Sequence, residues 1–551
     1  MDLLPGTPDP LVNADPTARI ARLARGARPL GDAERQQRQV AMSCSVLDPD
    51  EAGAGCTQVL HLAVFFDGTG NNRDEEMAKP VERRALSNIA KLRFAHVAEA
   101  NNITNLYLAG VGTPCPEVGD KGGTAGLAFG KGGGERVDYA FEKLDELIDK
   151  QTAKKILIIN VSVFGFSRGA AQARAFVRDL AARCKAQPDG TWHYRDIPLR
   201  VAFVGIFDTV CSVWSGFVTA LFNARDGHGE WAHDVKLPPI VEQCVHMTAA
   251  HELRPQFPLD STRDDARYPS NTVEIWYPGV HSDVGGGYDP AHQGRKNSIS
   301  RFSLNEMYDM ARMAGVLLRP VPDLASHVQD EFNKEDEELR SAYNGYLQAV
   351  RLKQGRSEMV QAAHMELLHR WLKVRIERGE NLASVQQLRE REAALNAELL
   401  TLYRKKRRLK DPYNDRGALL STQEMAEWKI TGDAIRERRS ELSEVKSQRK
   451  GLIREADVLG RRMAALHRKR DSGRELTMSE LTMLQAWGNT APLPKNVELF
   501  FDGYGHDSTS HWFAGNLSKW RTIYFGDTKY KPESISDNEW KPVDSELLAA
   551  E

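Results

Sequence analysis

Gly165-Phe166-Ser167-Arg168-Gly169 is the stretch of this chain best equipped for chemistry. A G-x-S-x-G turn puts a serine hydroxyl at a bend with no room for a Cβ on either flank. Glycine and serine are common residues, so the pentapeptide alone is also what any small-residue turn looks like. Its flanks add weight. An apolar, β-branched run, Ile156 to Val163, precedes it, and apolar residues at Ala170, Ala173, Phe176, Val177 and Leu180 follow at helical spacing. Strand, tight turn and helix are the setting of a nucleophile elbow, with Ser167 at a helix N-terminus, where negative charge is favoured.

A serine hydroxyl needs a base to become a nucleophile, and the base needs a carboxylate to orient it. Asp208 follows the apolar run Val201 to Phe207, and His281 follows Thr272 to Val280 and opens the segment HSDVGGGY. Ser167, Asp208 and His281 thus occur in the chain order of α/β-hydrolase triads. The structural alternatives are an Asx turn for Asp208 and a packed ring for His281. His246 and His251, expected on a helix, are weaker competitors for the base, and His506 is the fallback. The backbone N–H of Arg168 and one from the Gly68-Thr69 loop are the expected oxyanion donors.

The elements that must hold these groups alternate. A strand, Val59 to Phe66, ends in Asp67-Gly68-Thr69-Gly70-Asn71-Asn72, and Asp67 is a candidate pocket residue. A helix near Arg83 to Ala98, a strand at Asn105 to Ala109 and a helix at Arg136 to Lys150 follow. Between the last two lies a glycine-rich loop, Gly110 to Gly134, which has no G-K-[ST] and reads as an active-site wall. The apolar stretch Trp214 to Phe222 is a buried helix or a lid, with Trp214 and Phe217 as candidate pocket residues. The fold expected is α/β: an α/β-hydrolase-like, mostly parallel sheet carrying a long helical, coiled-coil-like hairpin. Four segments are expected: an arm at 1–57, with one helix near Thr17 to Arg25, a catalytic core at 58–324, a helical insertion at 325–487 broken at Asp411 to Asp415, and a C-terminal segment at 488–551. That last segment returns to the core through a strand at Val497 to Phe501, with Asp283, His506 and Trp512 near the pocket.

Composition narrows the classes. Charged residues are 27% of the chain and the net charge is −2, so nothing in the overall balance points to nucleic acid. The six cysteines form no C-x-x-C pair, which suits a reducing compartment and no zinc ribbon. No apolar run is long enough for a membrane span, and residues 1–20 lack a signal-peptide core. No H-E-x-x-H ligand set appears and no cofactor is expected, although Asp67, Asp283 and Asp507 are carboxylates able to gather around a cation.

FFDGTGNN, YLAGVGT, GFSRGAA, IFDTV and GVHSDVGGGY, in that order, resemble the α/β-hydrolase domain of bacterial type VI secretion lipase effectors, the first group of the Tle family. The resemblance covers roughly residues 58–290 and the HDS segment near 506. It implies a phospholipase of the A type with Ser167 as nucleophile, Asp208 as acid and His281 as base. It implies an antibacterial protein made in the cytoplasm without a signal peptide and acting at a rival's periplasmic membrane. Its partners would be membrane phospholipid, a type VI spike or adaptor protein and a cognate immunity protein, with no nucleic acid. Two other readings of the residues stand beside it: a serine esterase or thioesterase on smaller substrates, and a catalytically silent partner-binding protein.

Overall fold

The computed structural model describes residues 57–123, 132–152, 154–211, 232, 234–264, 268–333, 336–351, 357–409, 421–508, 520–526 and 528–530. The expected helix at Thr17 to Arg25, the stretch with Trp214 and Phe217, and Trp512 lie outside them.

Six strands build the centre: β1 (Thr57–Phe66), β2 (Ile103–Leu108), β3 (Lys155–Phe166), β4 (Ile197–Phe207), β5 (Cys244–Ala249) and β6 (Thr272–Tyr277). They pair in parallel in the order β6-β5-β4-β3-β1-β2. A sheet covered on both faces needs apolar residues at successive positions, which the runs of Val, Ile, Leu and Phe supply. Neighbouring side chains point opposite ways along a strand. Phe65 stacks on Phe164 at 4.9 Å on one face, while Phe66 meets Phe176 at 6.3 Å on the other. Each such ring, fully buried, contributes on the order of 1.5–3 kcal/mol.

Helices α1 (Asn88–Ala95), α2 (Gly133–Asp149) and α3 (Arg168–Arg183) connect the first strands. Ser87 starts α1 by accepting the Ala90 N–H on its hydroxyl, so the helix begins later than the apolar pattern from Arg83 suggests. The chain passes from β1 to β2 on one side and then crosses back to β3 on the other side of β1. The carboxyl ends of β1 and β3 therefore flank a topological switch point, where α/β sheets place ligands.

From β6 to Gly503 the main elements are helices: α4 (His281–Gly285), α5 (Ser300–Met313), α6 (Glu337–Ala349), α7 (Ser357–Arg378), α8 (Ala383–Arg408), α9 (Thr422–Asp471), α10 (Met478–Gly488) and α11 (Lys495–Gly503). Two short strands, Ile523–Phe525 and Thr528–Tyr530, then pair antiparallel, and the first lies parallel to Leu259–Asp260. The long pair α8 and α9 runs antiparallel, as its ion pairs descend in register: Glu392 with Arg449 (2.6 Å), Arg391 with Glu441, Glu398 with Arg438 (2.8 Å) and Lys405 with Glu427 (2.9 Å). Leu388, Leu395, Val445 and Leu452 fill the seam. The pair is rooted in the core where Gln448 accepts the Gln293 N–H at 2.9 Å and Asp502 accepts from the Ser384 hydroxyl at 2.6 Å.

Two elements differ from expectation. The segment holding His246 is not helical but a strand, β5, buried along its length. A short strand covered on both faces shows no alternation, and His251 lies beyond its end at Ala249. Val497 to Phe501 is conversely part of a helix, α11, with Val497, Phe500, Phe501 and Tyr504 buried at helical spacing. Pro494 precedes its first turn, a position where the missing N–H costs nothing.

Candidate active site

Ser167 joins β3 to α3 with φ 58° and ψ −124°, a conformation that is sterically costly for a residue with a side chain. Its neighbours hold it there. The Ser167 N–H donates to the Phe207 carbonyl at 3.0 Å, and its own carbonyl accepts from Ala170 N–H at 3.0 Å and Val210 N–H at 3.3 Å. The flanking glycines are required by close approach. A Cβ on Gly165 would lie 2.4 Å from the Gly169 carbonyl oxygen, and one on Gly169 would lie 2.3 Å from that of Phe66. The turn is thus wedged between the ends of β1 and β4.

Asp208 follows β4 directly and has a positive φ of 41°. Its side chain is fully buried, and every donor around it is specific. His281 Nδ1 lies 2.6 Å from Oδ2, Arg521 donates to both carboxylate oxygens at 2.8 and 2.7 Å, and the Ala249 N–H donates to Oδ1 at 2.8 Å. Burial alone would raise the Asp208 pKa, but the Arg521 charge and the His281 hydrogen bond outweigh it and hold the group well below the usual carboxylate range. The carboxylate is therefore ionised across the physiological range.

His281 is the first residue of α4 and 4% exposed. With Nδ1 on Asp208, Nε2 is the ring nitrogen left for a nucleophile. Burial lowers its pKa and Asp208 opposes that shift without cancelling it, so the ring is neutral at pH 7, as a base must be. Phe166, the residue before Ser167, lies with its ring centre 4.6 Å from the imidazole, and Phe257 meets it edge-on at 4.9 Å. Ser167 Oγ and His281 form no hydrogen bond in this structure; such bonds commonly tighten only with substrate.

The HDS segment braces this base. His506 Nδ1 lies 2.6 Å from Asp283 Oδ1, and Asp283 also accepts the Val280 N–H at 3.0 Å, which fixes the start of α4. Ser508 donates to Glu252 at 2.8 Å, and Glu252 accepts the His281 N–H at 3.3 Å. Asp507 takes Arg375 at 2.6 Å. His506 is accordingly a support of α4 and not an alternative base: its carboxylate partner is Asp283, not Asp208. Behind it lies a cavity of about 20 Å³, room for a water-sized molecule, lined by Arg295, Trp371 and His506 and away from Ser167.

The remaining candidates separate. His246 bridges Thr209 and Glu274, and His251 bonds Tyr346 and the Gly279 N–H, so both are spent on the core. Asp67 accepts from Tyr107 (2.5 Å), Ser87 (2.8 Å) and the Gly68 N–H (2.7 Å). That last bond corrects one expectation, because Gly68 N–H is already engaged and is not an oxyanion donor. The Thr69 hydroxyl, in the same loop, is buried with no partner among the described residues. Asp67, Asp283 and Asp507 do not gather around a cation; each has its own donors from different parts of the chain. Arg521, Glu252 and Arg254 escaped the sequence reading, since a lone arginine in KWRTIYF carries no local signal.

The family described as "T6SS, Phospholipase effector Tle1-like, catalytic domain" matches residues 61–184 and 181–310. Among solved structures, one described as an uncharacterized protein from Pseudomonas aeruginosa aligns with a TM-score of 0.64 at 23% identity, covering 93% of this chain and 84% of that one. It shares the fold. A second, the Tle1 effector bound to the VgrG spike of the type 6 secretion system, aligns with a TM-score of 0.35 at 19% identity, over 56% of this chain and 83% of that one. No curated protein matches the chain.

Two outcomes follow from this geometry. The neutral imidazole is the working form, so kcat/KM on an ester should rise with pH through a midpoint below the ordinary histidine value of 6.5 and then stay flat toward pH 8. A midpoint above 7 would contradict the buried, neutral His281. Arg521→Met strands a buried carboxylate and should lower stability to urea by about 3–5 kcal/mol, with Arg521→Lys recovering part of the loss; an unchanged midpoint would show that the pair is dispensable.

Proposed function

We propose, from the premise that residues 61–310 carry a Tle1-like catalytic domain of the type VI secretion phospholipase effectors, that this chain hydrolyses acyl esters of glycerophospholipids as a serine phospholipase of the A type. The observation that carries the reading is the strained Ser167 on the switch point beside an Asp208–His281 pair bonded at 2.6 Å. On this reading the sheet is an α/β-hydrolase core and α8 and α9 form a helical hairpin inserted in it.

Ser167 Oγ attacks the ester carbonyl while His281 Nε2 takes its proton, and Asp208 stabilises the imidazolium that forms. The oxyanion lies against the Arg168 N–H, at the first position of α3, and against the Thr69 hydroxyl or N–H. Collapse of the tetrahedral intermediate breaks the bond to the glycerol oxygen, which leaves with the proton from His281 as a lysophospholipid. Water, deprotonated by the same ring, then releases the fatty acid and regenerates Ser167. Every proton in this cycle moves through His281, and no metal or cofactor enters it.

The family also supports an antibacterial effector loaded in the cytoplasm onto a spike or adaptor, acting on a rival's membrane from the periplasm, with an immunity protein as the producer's safeguard. Among the described residues no helix is long and apolar enough to cross a membrane, so on this reading the protein meets lipid from the aqueous side. Purified protein mixed with phosphatidylethanolamine–phosphatidylglycerol vesicles should release free fatty acid and lysophospholipid. Ser167→Ala should lower that rate by about 10³-fold or more with its circular dichroism unchanged. Equal release by both proteins would discard the nucleophile.

A further inference from the structure

Arg254 stands beside the proposed base without taking part in its proton relay. Its Nε and Nη2 donate to the two oxygens of Glu252 at 2.9 and 2.8 Å, and its own N–H donates to the same carboxylate at 2.9 Å. Its guanidinium carbon lies 3.6 Å from the centre of the Phe257 ring, and that ring is the one set edge-on to His281 at 4.9 Å. Laid end to end, those two distances are the most that separates the guanidinium from the imidazole. The remaining nitrogen, Nη1, has no partner among the described residues, and it is not one of the buried polar atoms left without a bond. It faces solvent.

Glu252 is fully buried, and burial would raise its pKa. The Arg254 charge overcomes that and brings the group down to about 2. The carboxylate is covered on its other sides by the Ser508 hydroxyl and the His281 N–H. A guanidinium pinned on one edge by a permanent carboxylate and on one face by an aromatic ring has already lost its rotamer freedom, so ordering it costs a ligand little. Its open edge offers N–H groups in a fixed plane, the arrangement that suits phosphate oxygens.

We infer that Arg254 forms the subsite for the phosphodiester of the lipid substrate; this rests on the ester hydrolysis proposed above. In a glycerophospholipid the scissile carbonyl carbon and the phosphorus are about five or six bonds apart, a span that matches an arginine one ring away from the base. Glu252 already balances the arginine, so the subsite selects through directed N–H donation and not through net positive charge. A monoanionic phosphodiester fits it better than dianionic inorganic phosphate.

The test pairs a binding measurement with a turnover ratio. Ser167→Ala protein is titrated with hexadecylphosphocholine, a phosphodiester with no ester to cleave, and with hexadecyl maltoside as the phosphate-free control. Adding Arg254→Gln should weaken hexadecylphosphocholine binding about 10–100-fold relative to the maltoside, with Arg254→Lys falling between. In the Ser167 background, the ratio of kcat/KM for phosphatidylglycerol to that for the matching diacylglycerol should drop by the same factor. An unchanged binding ratio overturns the subsite, as does displacement of the lipid by inorganic phosphate at equal concentration. Absence of fatty-acid release from either ester by the wild type would instead sink the hydrolase reading, while the titration still decides what Arg254 binds.

Discussion

A single buried carboxylate sets the conditions for everything around it. Asp208 has no contact with solvent, and an isolated charge there would cost several kcal/mol. Arg521 reaches it from 313 residues away and donates to both oxygens, which leaves one lone-pair direction for His281 Nδ1 and one for the Ala249 N–H. The arginine keeps the carboxylate ionised, and the ionised carboxylate fixes the imidazole tautomer. Burial, helped by the Arg254 charge, keeps the His281 pKa depressed against the pull of Asp208. Electrostatics at this site therefore favour a neutral base that is ready at pH 7 over a strongly basic one.

Backbone strain is spent in the same place. Of the five non-glycine residues with positive φ among the described ones, two are Ser167 and Asp208. Both sit at the carboxyl ends of adjacent strands, and each is tied to the next strand: Ser167 N–H to Phe207, Asp208 N–H to Met247 at 2.7 Å. The sheet over-determines these two conformations, as it must if they are to persist. The C-terminal segment then closes the arrangement from the far side, with His506 on Asp283, Ser508 on Glu252 and Arg521 on Asp208. Three elements that position the base and the acid are thus held by residues near the end of the chain, although the long helical pair α8 and α9 intervenes in sequence.

Much of this was legible in the residues alone. β1, β3, β4 and β6 announce themselves as apolar runs ending in polar loops, because an interior parallel strand must be apolar on both faces. Ser167, Asp208 and His281 were visible because each follows such a run. β5 was not, since six buried residues with one histidine among them carry neither alternation nor an amphipathic stripe. The helix at Lys495–Gly503 was misread because five residues of VELFF satisfy the strand pattern, while the helical one needs Tyr504 to complete it. Arg521, Glu252 and Arg254 were invisible for a different reason: their meaning lies entirely in partners brought close by folding. The engagement of Gly68 N–H by Asp67 belongs to the same class.

The central claim is that Ser167 is a nucleophile activated by His281 and Asp208, and covalent trapping tests it most directly. A fluorophosphonate reacts with an activated serine and ignores an ordinary one. Incubation of the intact protein should give a single adduct by mass spectrometry, mapped by peptide analysis to Ser167 and lost in His281→Ala. An unmodified, folded protein, or an adduct on another residue, would contradict the account at its root.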